Sequence, residues 1–291
     1  MNRKLEGNRL FINLNYFFII IFTLIILLPL LNVLASSFAS NEALAEGNFI
    51  FFPSSWSIDN YKAVFHDSSI LRAFIISIAK TLIGVVTHVF FCAMVAYGLS
   101  KRFLVCRKFY TIMGIVTLFF SGGMIPTYLL MKDLHLLNNF WVYIIPQLFS
   151  YYDVVILMNF FRQLPSSLEE AALIDGAGVY RTFLSVILPL SKPALATIAL
   201  FNGVYQWNDF MTAKLYITTE RKLYPLQMKL YEIIVQQQAA VMNNVGSYTV
   251  TSTSKGIQLA TIVVTTVPIL MIYPLLQKHF VSGMMLGSIK E

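Results

Sequence analysis

Charge is what this sequence has least of. Only 12% of its 291 residues are charged, against 57% apolar, too few ionisable side chains to cover a soluble globule of that length. The apolar runs leave no room for a separate soluble domain. Cysteine is scarce too, with two in the chain. Cys92 lies in an apolar run and Cys106 in a basic loop, so no disulfide framework is possible and two free thiols are expected. Three chemical constellations are absent. No Gly-x-x-x-x-Gly-Lys-Ser/Thr loop cradles a nucleotide, so the chain is expected to hydrolyse no ATP itself. No His, Cys and Asp cluster has metal spacing, and no paired serine nucleophile and base suggests an intramembrane hydrolase. No cofactor is therefore expected on this chain.

What the sequence does have is six apolar runs, at about residues 10–35, 70–100, 109–131, 140–161, 191–213 and 257–276. Most approach or exceed the roughly 20 residues that a membrane-spanning helix needs. The net charge of +7 does not call for nucleic acid, because the basic residues cluster at the ends of the runs, as the positive-inside rule places them. Lys101, Arg102, Arg107 and Lys108 mark the clearest cytoplasmic loop. The first run follows Arg3, Lys4 and Arg9. It is too long for a signal-peptide core and reads as a retained span, with cleavage near Ala35 as the alternative. The expected fold is all-α and integral to the membrane, a single transmembrane domain over residues 1–291. It has six transmembrane helices, both ends cytoplasmic, and an outer loop over 214–256.

Polar groups inside the runs are the informative exceptions. The second run exceeds one crossing, so either its helix tilts or the part before Lys80 lies along the outer surface; both readings hold Arg72 and Lys80 near the outer interface. His88 lies deeper, as a hydrogen-bonded bundle residue or a proton relay. Ser121-Gly122-Gly123-Met124-Ile125-Pro126 reads as a kink or as a site of close packing. Asp153 must face the bundle interior, pair with a base or line water, since a lone carboxylate in a span costs about 2.5 to 3.5 kcal/mol. The fifth run carries Asn202, Tyr205, Gln206, Trp207, Asn208 and Asp209 on more than one face. Amides and aromatic rings there suit a path for hydroxyl-rich solutes, and polar contact between helices is the competing use.

Between the fourth and fifth runs lies a polar island over 164–189, LPSSLEEAALIDGAGVYRTFLSVILP. Ser166 with Glu169 and Ser167 with Glu170 match a capping box, so a short helix is expected over about Leu168 to Ile174. Asp175-Gly176-Ala177-Gly178 supplies the stop, Asp175 can cap the helix that follows, and Pro189 ends that second helix. The six-span count puts this hairpin in the cytoplasm.

The order Glu170-Ala171-Ala172, three residues, Gly176, nine residues, Val186, one residue, Leu188-Pro189 resembles the EAA signature of permease subunits of binding-protein-dependent ABC importers. Val186 stands where the family usually has isoleucine. FFRQLPSSLEEAALIDGA, YQWNDF and FVSGMMLGSIKE resemble the maltose-type oligosaccharide permeases. SGGMIPTYLLMKDLHLLNNFWVYIIP resembles their aldouronate, alginate and complex-polysaccharide branch. The resemblance covers essentially the whole chain.

It implies an ABC type I importer permease that forms half of the translocation path for an oligosaccharide. The implied partners are a second permease subunit, expected to be a different chain, two ABC ATPase subunits that use the ATP, an extracellular solute-binding protein and membrane lipid. Glu169, Glu170, Ala171, Ala172, Asp175, Gly176, Leu188 and Pro189 would couple to an ATPase, and Asn202 to Asp209 would line the path. By position, Gln236 to Ser254 resembles a loop that reaches the binding protein, and the tail around Gly283 to Lys290 one that touches the ATPases. The alternatives are a permease for a peptide or polyamine, an ion-coupled secondary transporter using Asp153, Asp209 and His88, and a membrane enzyme.

Overall fold

The structure is a computed structural model that describes residues 2–45, 52–243 and 255–271. The chain runs as α1 (Asn2–Ser37), short α2 (Asn41–Ala45) and α3 (Asp59–His66), then α4 (Ser68–Ser100), α5 (Arg107–Phe119), α6 (Met124–Asp133) and α7 (Tyr151–Phe161). Next come α8 (Ser166–Ile174), α9 (Val179–Thr182), α10 (Leu188–Leu190), α11 (Lys192–Asn208), α12 (Met211–Tyr216) and α13 (Leu226–Asn243). The last described helix is α14 (Lys255–Met271). Among the described residues there is no strand, and one isolated bridge joins Ala39 to Trp56.

Two helices are long and apolar enough to cross a bilayer unaided, over Phe11–Ser37 and Ser68–Ser100. Three further apolar pieces are bent pairs, with angles of 116° between α5 and α6, 49° between Phe140–Gln147 and α7, and 81° between Val179–Leu190 and α11. Two of the bends coincide with residues suited to them. Gly123 takes φ 87°, a conformation open to glycine, so the Gly122-Gly123 reading as a kink holds. In the fourth run Pro146 sits in a 3₁₀ turn, where its missing N–H does no harm.

Pro189 does not end the second helix of the central hairpin, as the sequence suggests. The helix runs on to Leu190, with a π turn over Phe183–Ile187 closed by the Leu188 N–H on the Phe183 carbonyl. A proline at 189 cannot donate to the carbonyl four residues back, and widening the turn before it absorbs that loss.

The chain divides into two compact units. In the first, which takes in residues 1–68 and 232–266, the buried Asn60 donates to the carbonyl oxygen of Ala39 at 3.0 Å. A side chain at Gly256 would overlap it. Most apolar side chains of α1 from Phe11 to Leu31 stand outward, Phe11, Phe18, Phe22 and Ile25 among them, so this part of the helix is built for an apolar surrounding.

In the second unit, residues 69–231 and 267–291, the core packs Cys92, Ala93 and Ala96 of α4 against Val154, Leu157 and Phe161 of α7 and Ile198 of α11. Tyr97 stacks on Phe183 with centroids 5.2 Å apart. This places the base of the central hairpin against the ends of α4 and α7. A second cluster joins Met131 of α6 to Tyr143, Ala213, Ile217 and Met228.

α4 is one continuous helix of 33 residues, about 50 Å long at 1.5 Å per residue. It has no break before Lys80 of the kind that a separate surface-lying segment would need. Lys80 is fully buried, and the fold supplies it with the carboxylate of Asp209. Cys92 is buried and Cys106 exposed. Pro274, the tail around Gly283 to Lys290 and most of Gln236 to Ser254 lie outside the described residues.

Candidate functional site

The central hairpin closes with a defined backbone motif. Gly176 N–H donates to the Leu173 carbonyl at 3.0 Å and Ala177 N–H to the Ala172 carbonyl at 2.9 Å, with Gly176 at φ 77°. These two bonds make a Schellman stop, whose left-handed residue glycine fits best. Ala172 and Ala177 meet at that stop, which gives the small residues of the Glu-Ala-Ala stretch a structural use.

Two details depart from the sequence reading. No side chain caps the start of α8, where Pro165 is the capping residue, so neither Ser-x-x-Glu box forms. Glu169 instead pairs with Lys101, whose ammonium also lies 4.1 Å from the centroid of the Tyr97 ring. Asp175 ends α8 rather than capping α9, where Gly178 is the capping residue and no side chain bonds. A distant cation outweighs the local cap because it satisfies a full carboxylate charge.

No residue of α8 is buried. Glu170, Ala171, Asp175, Gly176 and Pro189 are exposed, and Ala172 and Leu188 half-buried. Large apolar groups share this surface, with Ile174 87% and Tyr180 77% exposed. Exposed apolar surface of this kind on a polar loop marks a candidate contact surface.

The six candidate residues on α11 and at its end separate into two sets. Asn202, Gln206 and Trp207 turn into the chain's own core. Gln206 donates to the Tyr143 carbonyl at 3.2 Å, and a Cβ at Gly84 would come within 2.8 Å of its amide nitrogen. Trp207 meets Phe74 edge to face. Asp209 is bound by Lys80, through its carboxylate at 3.2 Å and its main-chain carbonyl at 2.9 Å, while its other carboxylate oxygen accepts the Thr212 N–H. Gln206, Trp207 and Asp209 thus contact other segments of this chain, while Asn202 is buried with its Oδ1 unpartnered.

Tyr205 and Asn208 do face outward. Tyr205 accepts from Gln147 Nε2 at 3.2 Å, and Asn208 Oδ1 from Gln227 Nε2 at 3.3 Å. The two glutamines escape a reading by sequence runs because each lies in a different segment. Only the fold brings them beside α11.

The two ionisable groups left open by the sequence partner each other. His88 Nε2 lies 2.9 Å from Asp153 Oδ2, and its Nδ1 lies 2.6 Å from the Gln147 carbonyl oxygen. Both ring nitrogens thus face acceptors, and Asp153 pairs with a base. Among the described residues no group of three or more His, Cys, Asp or Glu could hold a metal ion.

No protein-family model matches the chain. Similarity to individual proteins is extensive. The chain is 41% identical over 285 residues to the polygalacturonan/rhamnogalacturonan transport system permease protein YtcP of Bacillus subtilis, covering 97% of this chain and 99% of that one. It belongs to the permease subunits of sugar ABC importers. Protein LplC of the same organism is 43% identical over 91% of this chain and 90% of its own length. The multiple sugar-binding transport system permease protein MsmG of Streptococcus mutans is 30% identical over 92% and 93%.

Among solved structures, a chain of a bacterial ABC transporter involved in the import of the acidic polysaccharide alginate superimposes with a TM-score of 0.84 at 32% identity. That match covers 94% of this permease and 98% of that chain. The permease is thus a membrane transport subunit whose ATPase resides on a separate subunit. The ion-coupled and membrane-enzyme alternatives fall with this assignment.

Proposed function

We propose that this permease forms half of the path for an acidic oligosaccharide in a bacterial cytoplasmic membrane. In this reading an extracellular binding protein delivers the sugar, a second and different permease chain completes the pore, and two ATPases seat beneath. The chain is one transmembrane domain of six spans with both termini cytoplasmic: the two long helices, the three bent pairs, and α14 as the start of the sixth. This chain binds no cofactor, and ATP is consumed by its partners.

The observation that carries the proposal is the hairpin over 164–189. Its α8 is unburied, its turn is fixed by Gly176, and its base is tied by Glu169 to Lys101 at the end of α4. A rigid knob anchored to a span transmits a push. When ATP closes the ATPase pair, Glu170, Ala171, Ala172 and the Asp175-Gly176 turn carry the movement, and Leu188 and Pro189 pass it into α11. The path alternates between inward- and outward-open states biased by ATP and by the loaded binding protein.

Tyr205 and Asn208, with Gln147 and Gln227, offer the sugar a hydrogen-bonding face and a flat ring. The acidic class follows relatives whose names specify polygalacturonan/rhamnogalacturonan and alginate. The test is uptake by the reconstituted importer of labelled oligogalacturonate against a neutral maltooligosaccharide. Selective, ATP-dependent uptake of the acidic sugar supports the proposal; preference for the neutral one refutes the substrate class. Ala171→Trp on the hairpin should abolish the stimulation of ATP hydrolysis by the loaded binding protein, and full stimulation in that variant would remove α8 from the coupling role.

A further inference from the structure

The turn between α4 and α5 reads Lys101-Arg102-Phe103-Leu104-Val105-Cys106-Arg107-Lys108-Phe109. Cations and large apolar side chains are interleaved, and the fold leaves apolar ones outward, with Phe103 83%, Val105 79% and Phe109 64% exposed. Beside this turn lies a groove of about 840 Å³ whose lining includes Lys101, Arg102, Arg107 and Arg162 against Glu169 and Glu170. Of its cations, Lys101 anchors the hairpin through Glu169, whereas Arg102, Arg107 and Arg162 serve neither coupling nor the sugar path.

Their positions are fixed by the backbone. Arg107 Nε and Arg162 Nη2 both donate to the Leu99 carbonyl, at 3.0 and 3.5 Å, where the negative end of the α4 dipole favours them. Lys101 is held by Glu169. Arg102 makes no hydrogen bond or ion pair among the described residues. Partial burial, and then the nearby charges of Arg107 and Arg102, lower the Arg162 pKa, as expected of a cation beside like charges.

Three kinds of anion could answer this charge: a lipid headgroup, a free phosphate or an acidic protein segment. The surroundings favour the first. The groove sits where the apolar helices α4 and α7 end and α5 begins, the level at which lipid phosphates lie. From it the surface of α5 leads away with Ile112, Met113 and Val116 exposed, a bed for an acyl chain. A free phosphate leaves Phe103, Val105 and Phe109 unexplained, whereas an interfacial lipid covers them.

We propose that this groove binds an anionic phospholipid, its phosphodiester held by Arg102, Arg107 and Arg162 and its chains lying along α5. The inference rests on the proposed topology, in which this turn is cytoplasmic.

The test uses the complete importer, purified and delipidated, with phosphatidylglycerol or phosphatidylcholine added back and bound lipid counted by native mass spectrometry. Arg102→Gln removes a side chain with no structural bond and should weaken phosphatidylglycerol retention about fivefold, with Arg102→Lys restoring it and phosphatidylcholine unaffected. Equal retention of phosphatidylglycerol by wild type and Arg102→Gln overturns the proposal. So does displacement of the lipid by inorganic phosphate, which would assign the groove to a free anion. Loss of an ATPase subunit from Arg102→Gln would assign it to a protein carboxylate. The topology is checked separately by a membrane-impermeant maleimide on Cys106, exposed in the same turn. Labelling in inverted vesicles alone supports the cytoplasmic placement, and labelling in right-side-out vesicles defeats the topology whatever the lipid does.

Discussion

Breaking the Lys80–Asp209 pair should destabilise the permease more than any change among its exposed polar residues, and neutralising both partners together should undo most of the damage. Lys80 has a side-chain exposure of 0% and Asp209 of 9%, with the charges 3.2 Å apart. At an effective dielectric constant of about 20, that separation corresponds to roughly 5 kcal/mol of attraction. Desolvation offsets much of this, so the pair itself adds little net stability.

Removing one partner is different, since it strands a charge in the bundle at a cost of about 3–5 kcal/mol. Lys80→Met strands the carboxylate. Asp209→Asn strands the ammonium, which keeps the residue 209 carbonyl at 2.9 Å and the Tyr143 ring at 4.7 Å. The double variant Lys80→Met/Asp209→Asn carries no charge and preserves the Oδ1 bond to the Thr212 N–H, so most of the stability should return. Thermal aggregation of the detergent-purified importer, followed by size-exclusion chromatography, should show each single variant melting lower by on the order of 10 °C. The double should lie close to wild type. Additive losses in the double variant would refute the argument, because independent losses mean that the charges do not compensate one another.

Gly176→Val forces a β-branched residue into a left-handed turn at φ 77°, costing about 1–2 kcal/mol locally; binding-protein-stimulated ATP hydrolysis should fall while the permease still inserts, as blue-native gels would show. Tyr205→Ala should reduce uptake without altering assembly, whereas the buried Trp207→Ala should lower stability by roughly 3 kcal/mol or more. Equal thermal shifts in these two variants would contradict the division of α11 into an outward and an inward face. Asp153→Leu should cost about 1–3 kcal/mol by leaving His88 Nε2 without its acceptor, yet uptake in the surviving protein should stay ATP-dependent and insensitive to a protonophore.

The hairpin was legible in the sequence because its signals are local. Gly176 is needed at a left-handed position, and a glycine there can be read without knowing what surrounds it. Its capping was not legible: Ser166 and Glu169 have the spacing of a box, but Lys101, 68 residues away, claims the carboxylate. The same limit applied on α11. Sequence could place Asn202 to Asp209 in one apolar run and note that they occupy several faces, but it could not say which face meets α4 and which stays open.

What the sequence by itself determined is the class, all-helical and apolar, and the family. Each follows from composition, run length or a pattern contained in a short stretch. Only the tertiary structure decided how the buried charges are satisfied. Lys80 has a long apolar stem that could reach the interface, and Asp209 a carboxylate that could face a solute; each choice is reasonable alone. They are buried together because the fold brings residues 129 positions apart within hydrogen-bonding distance, and a charge in a low-dielectric interior is tolerated only beside its opposite. His88 and Asp153 are settled in the same way, by a partner that no local pattern names.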